Sequence, residues 1–177
     1  FIEVGKMIKL EDLLKGMIIQ SGNDASVALA EHVAGSEGTF VLFMNDYAQQ
    51  IGMKNSNFEN ASGLPHDKQY STAKDMALLS SAMIREFPDF YKWYSQKEFT
   101  YNNITQPNRN KLLSRDSTVD GLKTGWTIKA GYCLVTSANR VGMRLISVVL
   151  GSESPDIRTA ETEKLLDYGF RFFETQS

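Results

Sequence analysis

Val119-Asp120-Gly121-Leu122-Lys123-Thr124-Gly125-Trp126-Thr127 is the stretch on which the reading of this chain turns. Its first part, Val119 to Thr124, has strand character, and Lys123-Thr124-Gly125 closes that strand. A strand edge carrying a cation, a hydroxyl and a residue without a side chain can hold a carboxylate while its backbone pairs with an extended peptide. The tripeptide in isolation is equally an exposed lysine at a strand end followed by a turn glycine, so its surroundings have to decide.

Downstream, Tyr132 to Asn139 and Met143 to Leu150 also read as strands, joined by the turn signal Asn139-Arg140-Val141-Gly142. Upstream, Phe99 to Asn102 is strand-like, and the four segments together predict an antiparallel sheet. A closing helix from about Pro155 to Phe173 places Ile157, Ala160, Leu165, Tyr168 and Phe172 where they could cover a sheet face. The first half of the chain reads differently. Leu10, Leu13, Leu14, Met17 and Ile18 recur at helical spacing up to Ser21-Gly22-Asn23. A second helix follows Asn23 and stops at Gly35, and a third is capped by Ser36 and runs to Gly52. Polar and turn-forming residues fill 53–70 as a long loop or irregular hairpin, and a fourth helix runs from about Thr72 until Pro88 ends it. The expected architecture is α+β: a helical subdomain over about 8–95, an α/β subdomain over about 96–177, and a cleft between them where a site would lie.

The bulk properties remove several function classes. The 177 residues suffice for one core, and 19 basic against 21 acidic residues, mixed along the chain, leave no basic run for nucleic acid. No apolar stretch approaches the roughly 18 residues that span a bilayer. The lone Cys133 excludes an internal disulfide. His32 and His66 have no zinc-ligand spacing, so neither a metal nor another cofactor is expected.

Ser21-Gly22-Asn23 offers a hydroxyl that can relay a proton and an amide that can orient a carbonyl. Capping chemistry explains the same tripeptide as a helix-ending glycine followed by an Asn or Asp N-cap. Taken with Lys123-Thr124-Gly125 in this order, about a hundred residues on, it resembles the second and third motifs of the penicillin-binding proteins and serine β-lactamases. The wider words narrow the resemblance: Leu14-Lys15-Gly16-Met17-Ile18-Ile19-Gln20-Ser21-Gly22-Asn23-Asp24-Ala25, Asp120 to Gly125, Arg144 to Gly151 and Gly169-Phe170-Arg171-Phe172-Phe173-Glu174. With these the chain resembles the low-molecular-mass serine D-alanyl-D-alanine carboxypeptidases, which have the β-lactamase/transpeptidase-like fold.

That resemblance implies a serine of a Ser-x-x-Lys motif attacking a D-Ala-D-Ala peptide bond through an acyl-enzyme. By motif, Ser21 belongs to the proton relay, Asn23 binds the acyl-side peptide and Lys123 supports the site electrostatically. Thr124 and Gly125 receive the terminal carboxylate and peptide backbone, and the backbone N–H of Trp126 supplies an oxyanion donor. The Trp126 side chain departs from the His or Thr frequent in relatives. Arg158 matches an arginine that helps bind the carboxylate, and Arg109 is assigned a structural role. The implied partners are peptidoglycan stem peptides ending in D-Ala-D-Ala and β-lactam antibiotics, in the bacterial envelope. No nucleic acid is implied, and any membrane association would come through a C-terminal region outside this sequence.

The family's first motif should precede Ser21 by several tens of residues, where this chain has only twenty and no serine. The chain is therefore expected to be part of a longer envelope enzyme, with the fold incomplete at the N-terminus and the nucleophile and its lysine elsewhere. Ser71-Thr72-Ala73-Lys74 has the Ser-x-x-Lys spacing, but it lies between the other two motifs and starts a helical pattern, so Ser71 is read as an N-cap. A serine β-lactamase and a non-catalytic peptidoglycan-peptide-binding module are the competing expectations.

Overall fold

The computed structural model describes residues 2–3 and 5–175. Helix α1, Leu10–Gln20, ends with Ser21 in the left-handed conformation (φ 56°, ψ 43°). The N–H of Ser21 bonds to the Met17 carbonyl at 3.1 Å, the closing bond of an αL motif, and that of Gly22 reaches the Gly16 carbonyl at 3.2 Å. Capping logic placed glycine at the left-handed position; the structure places the serine there, and Gly22 becomes the N-cap of α2, Asn23–Ala34. The space around Gly22 is tight, since an added Cβ would sit 3.3 Å from both Ala25 Cβ and Asp24 Oδ1.

Helix α2 stops at left-handed Gly35, and α3, Glu37–Gln50, starts where the Ser36 hydroxyl accepts from the Thr39 N–H. Helix α4, Ala73–Glu86, is capped by Thr72, whose side chain accepts from the Asp75 N–H at 3.1 Å. Ser71, expected as the cap, instead bonds Ser56 Oγ at 2.8 Å. The hydroxyl one residue nearer the helix reaches the free donor of the first turn. The polar segment before α4 is held by its own side chains. Asp75, 1% exposed, accepts from the Asn55 N–H and Ser56 Oγ, each at 2.8 Å. Asn45 clasps the Phe58 backbone through both ends of its amide. Buried loop backbone needs partners, which accounts for the Asn and Ser content here. Helix α5, Pro88–Tyr91, and a 3₁₀ turn, Lys92–Ser95, complete this half.

Strands β1, Glu98–Tyr101, and β2, Ile104–Pro107, form a separate two-stranded sheet. The expectation that the Phe99 segment joins the main sheet is thereby corrected. Asn102 and Asn103 both have positive φ (48° and 61°), the geometry of a two-residue hairpin turn that closes this strand onto its own neighbour. After α6, Leu112–Arg115, the main antiparallel sheet has the order β3-β4-β5, with β3 at Val119–Thr127, β4 at Gly131–Arg140 and β5 at Met143–Ser152. Helix α7, Pro155–Phe172, begins at Ser154, whose hydroxyl accepts from the Ile157 N–H.

The sheet is covered on both faces. Leu134, Ala138 and Val119 pack with Leu112, Leu113 and Leu166, which brings α6 and α7 onto one face. Val135, Ile146 and Val148 meet Met76, Met83 and Ile84 of α4, with Tyr91 and Leu122 in the same cluster. A fully buried aliphatic side chain such as Leu134 or Leu166 contributes roughly 1.5–3 kcal/mol. A third cluster joins Ile18 and Ile19 of α1 to Phe99 of β1 and to Trp93 and Tyr101. Packing therefore links elements across the chain position near 95: α4 covers the sheet, while the small hairpin lies on α1. The consequence is that the C-terminal end of α1 is set beside β3. Among the described residues no helix is long and apolar enough to cross a membrane.

Candidate active site

A cleft of about 970 Å³ runs along β3 and takes in the α1–α2 turn, the face of α4, loop residues 61–64 and the start of α7. All seven residues singled out in the sequence line it: Ser21 and Asn23 from the interhelical turn, Lys123, Thr124, Gly125 and Trp126 from β3, and Arg158 from α7. With the order β3-β4-β5, β3 is an edge strand among the described residues. The cleft thus borders a strand edge of the kind that accepts an extended peptide.

Lys123 joins the two motifs. Its Nζ donates to Ser21 Oγ, 102 residues away in sequence, and to the Thr124 carbonyl at 2.9 Å. As the acceptor of that bond, the Ser21 hydroxyl keeps its own proton free for another acceptor. Burial pulls the Lys123 pKa down from 10.5 to about 8, and the positive charges of Arg109 and Arg158 push in the same direction. Arg109, assigned a structural role from the sequence, therefore belongs to the electrostatics of the cleft that it lines. A folded chain was needed to see this, because nothing in the local sequence ties Arg109 to Lys123.

Gly125 lies opposite Cys133 on β4. A Cβ added at Gly125 would meet only Cys133 Cβ, at an ordinary 3.8 Å, so packing within the described residues does not demand glycine there. Close approach of a ligand backbone is a physical reason for it. Thr124 is buried. Trp126 is 56% exposed, and its indole lies against Tyr132, its cross-strand partner, with ring centroids 5.7 Å apart.

Arg158, on the first turn of α7, is 6% exposed. Its guanidinium sits 5.9 Å from the Tyr132 ring centroid and donates to the Cys133 carbonyl at 3.3 Å. Its Nε is buried without a hydrogen-bond partner, and burial lowers its pKa. A desolvated guanidinium with an unused donor is a site for an anionic group.

Sequence reasoning missed the residues that hold β3 in place. Asn110, 2% exposed, donates to the Gly121 carbonyl at 3.1 Å and accepts from the Leu112 N–H at 3.2 Å. Asp120 accepts from the Tyr91 hydroxyl at 2.8 Å and pairs with Arg144 at 2.8 Å. The Arg144 guanidinium also donates to Ser137 Oγ and lies 5.6 Å from the Tyr91 ring centroid. Burial pushes the Tyr91 phenol pKa up. Asp120 and Arg144 stood inside the words quoted above, but their pairing depends on sheet register. Ser71 and Lys74, with the nucleophile-like spacing, do not line the cleft; Ser71 is tied to Ser56 and Lys74 is exposed.

The arrangement brings together a serine hydroxyl, a lysine of lowered pKa, an amide, a strand edge and a buried cation. A family profile described as D-alanyl-D-alanine carboxypeptidase matches residues 1–154. The chain is 54% identical over 176 residues to the D-alanyl-D-alanine carboxypeptidase DacC of Escherichia coli, spanning 99% of this chain and 44% of that protein. Among solved structures, penicillin-binding protein 5 of Haemophilus influenzae superposes with a TM-score of 0.94 at 50% identity, covering 97% of this chain and 50% of that one. Penicillin-binding protein D2 of Listeria monocytogenes in its ampicillin-bound form gives 0.86 at 37% identity, with 92% and 68% covered. The chain thus spans about half or less of the length of the first two. On the profile match and these identities, the chain belongs to the D-alanyl-D-alanine carboxypeptidase family.

Proposed function

We propose that the protein carrying this chain is a serine D,D-carboxypeptidase of the bacterial envelope that removes the terminal D-Ala from peptidoglycan stem peptides and is acylated by β-lactams. The observation that carries this reading is the donation from Lys123 Nζ to Ser21 Oγ on the floor of a cleft bordered by a strand edge. Two motifs far apart in sequence become one proton-handling pair.

In this reading a stem peptide lies antiparallel to β3, its terminal carboxylate directed to Thr124 and Arg158. Gly125 admits its backbone, Asn23 holds the acyl-side amide, and the Trp126 N–H donates to the developing oxyanion. The nucleophilic serine adds to the penultimate D-Ala carbonyl, and the peptide bond breaks as the leaving amine takes a proton handed on through Ser21. Water then cleaves the ester and restores the serine. Lys123, as a cation, holds Ser21 in its acceptor orientation and stabilises the negative charge that develops.

The cleft-lining serines are Ser21, Ser26, Ser62 and Ser80, and none has a lysine one helical turn on: the residues at that offset are Asp24, Leu29, Pro65 and Met83. By the family resemblance the nucleophile is expected on a Ser-x-x-Lys segment other than these cleft serines of the described residues. The wording of the motifs favours a carboxypeptidase over a β-lactamase. Incubation of the full-length protein with penicillin, followed by intact-mass measurement and peptide mapping, tests the assignment. One covalent adduct on a Ser-x-x-Lys serine other than Ser71, with release of D-Ala from a D-Ala-D-Ala peptide, is expected. Reversible peptide binding without an adduct would favour a non-catalytic binding module instead, and rapid turnover of penicillin without D-Ala release would favour a β-lactamase.

A further inference from the structure

The support of Arg158 differs from that of the arginines that pair with carboxylates. Arg140 pairs with Asp116 and Asp167, Arg144 with Asp120, Arg115 with Glu163 and Arg85 with Glu86. Arg158 has no carboxylate partner among the described residues. It is nonetheless 6% exposed, a setting in which an unpaired cation is costly. What holds it is a backbone carbonyl, Cys133 O at 3.3 Å, and the ring of Tyr132, whose centroid is 5.9 Å away. Tyr132 is in turn braced from β3 by Trp126, 5.7 Å away and tilted by 33°. The register pairs Trp126 directly with Tyr132, so indole, phenol and guanidinium form a ladder from the cleft mouth to the start of α7.

We propose that Tyr132, braced by Trp126, is a positioning residue: its ring carries the Arg158 guanidinium at the depth where the cleft receives a ligand carboxylate. A carboxylate partner would bind the guanidinium in competition with the ligand. An aromatic face attracts the cation without using its N–H donors, so they remain available for a fork-like contact with a carboxylate. The idle Nε is the sign of such a reserve. This also gives the Trp126 side chain a task distinct from that of its backbone, since it limits the room in which the Tyr132 ring can rotate away.

The inference rests on the carboxypeptidase reading and is tested in the full-length enzyme with paired substrates, a D-Ala-D-Ala peptide with a free terminal carboxylate and its C-terminal carboxamide. For Tyr132→Leu, KM for the free acid should rise by about 5- to 30-fold, the factor of a desolvated cation–π contact. The values for the carboxamide should stay near wild type, so that the preference for the acid collapses. Arg158→Gln should abolish the same preference and serve as the benchmark. Tyr132→Phe, which keeps the ring, should behave as wild type, and Trp126→Ala should fall between. A Tyr132→Leu enzyme that loses both substrates equally, or retains the acid preference while Arg158→Gln loses it, overturns the proposal. So does a Phe variant that matches the Leu variant, because the hydroxyl and not the ring would then matter. Wild-type protein that neither releases D-Ala nor takes up penicillin would instead overturn the functional reading beneath it.

Discussion

Replacing Lys123 with Met has opposite consequences for stability and for chemistry, and its sign depends on pH. The lysine pKa of about 8 against an ordinary 10.5 means that burial, together with the charges of Arg109 and Arg158, disfavours its charged form by about 3 kcal/mol. Met keeps the unbranched stem and discards that cost, but it removes the donor to Ser21 Oγ and the Thr124 carbonyl, a loss of about 1–2 kcal/mol. At neutral pH the variant should therefore be more stable than wild type by about 1–2 kcal/mol, while β-lactam acylation is lost. The pH course fixes the cause. Between the folded value of about 8 and the unfolded value of 10.5 the unfolded wild type binds a proton that the folded form has released, so wild-type stability rises with pH. That contribution is complete above 10.5 and absent below about 8. The Met variant has no such group, so its advantage should shrink across this window and reverse at the top of it. Urea unfolding of both proteins at matched ionic strength, at neutral pH and at both ends of the window, measures the difference directly. A stability difference that does not vary with pH would falsify the claim that Lys123 is held buried against its charge. Acylation by penicillin in the wild type should fall along an alkaline limb centred near pH 8 as the ammonium is lost.

Further expectations concern the scaffold. Val141 is β-branched, fully exposed and left-handed (φ 52°), so Val141→Asn should raise stability by about 1 kcal/mol, read as a higher Tm; a lower Tm would show that the hairpin needs valine. Ser71→Ala should leave penicillin acylation of the full-length protein intact and cost about 1 kcal/mol or less, since Ser56 keeps its bond to Asp75; loss of labelling in a folded variant would return Ser71 to the list of nucleophiles. At Gly121 an added Cβ would lie 2.6 Å from the Tyr91 hydroxyl, which is anchored on Asp120. Gly121→Ala should therefore lower unfolding free energy by about 1–3 kcal/mol, and an unchanged denaturation midpoint would contradict the packing described for that strand.

Helices α1, α3 and α4 were readable because their apolar residues repeat at helical period between capping residues, and β4 and β5 because a turn signal separates two apolar runs. Period and punctuation are local properties that survive without tertiary context. The motif words at Ser21 and Lys123 were readable for a similar reason, as short contiguous strings. The small hairpin escapes the sequence reading because Asn102 reads as the end of a strand, whereas Asn102 and Asn103, both of positive φ, turn the chain straight back. Ser71 and Thr72 are both competent caps, and only the path of the chain into α4 selected Thr72.

The sequence by itself thus determined the class of fold, the family resemblance and the identities of the residues along the cleft. Tertiary structure alone decided which of them act on one another. It brought Lys123 to Ser21, added Arg109 to the charges around that lysine, locked β3 through Asn110, Asp120, Tyr91 and Arg144, and set Arg158 over Tyr132. Each of these depends on sheet register or on helices packing across distant parts of the chain, and desolvation, which sets the pKa of Lys123, exists only once that packing has formed.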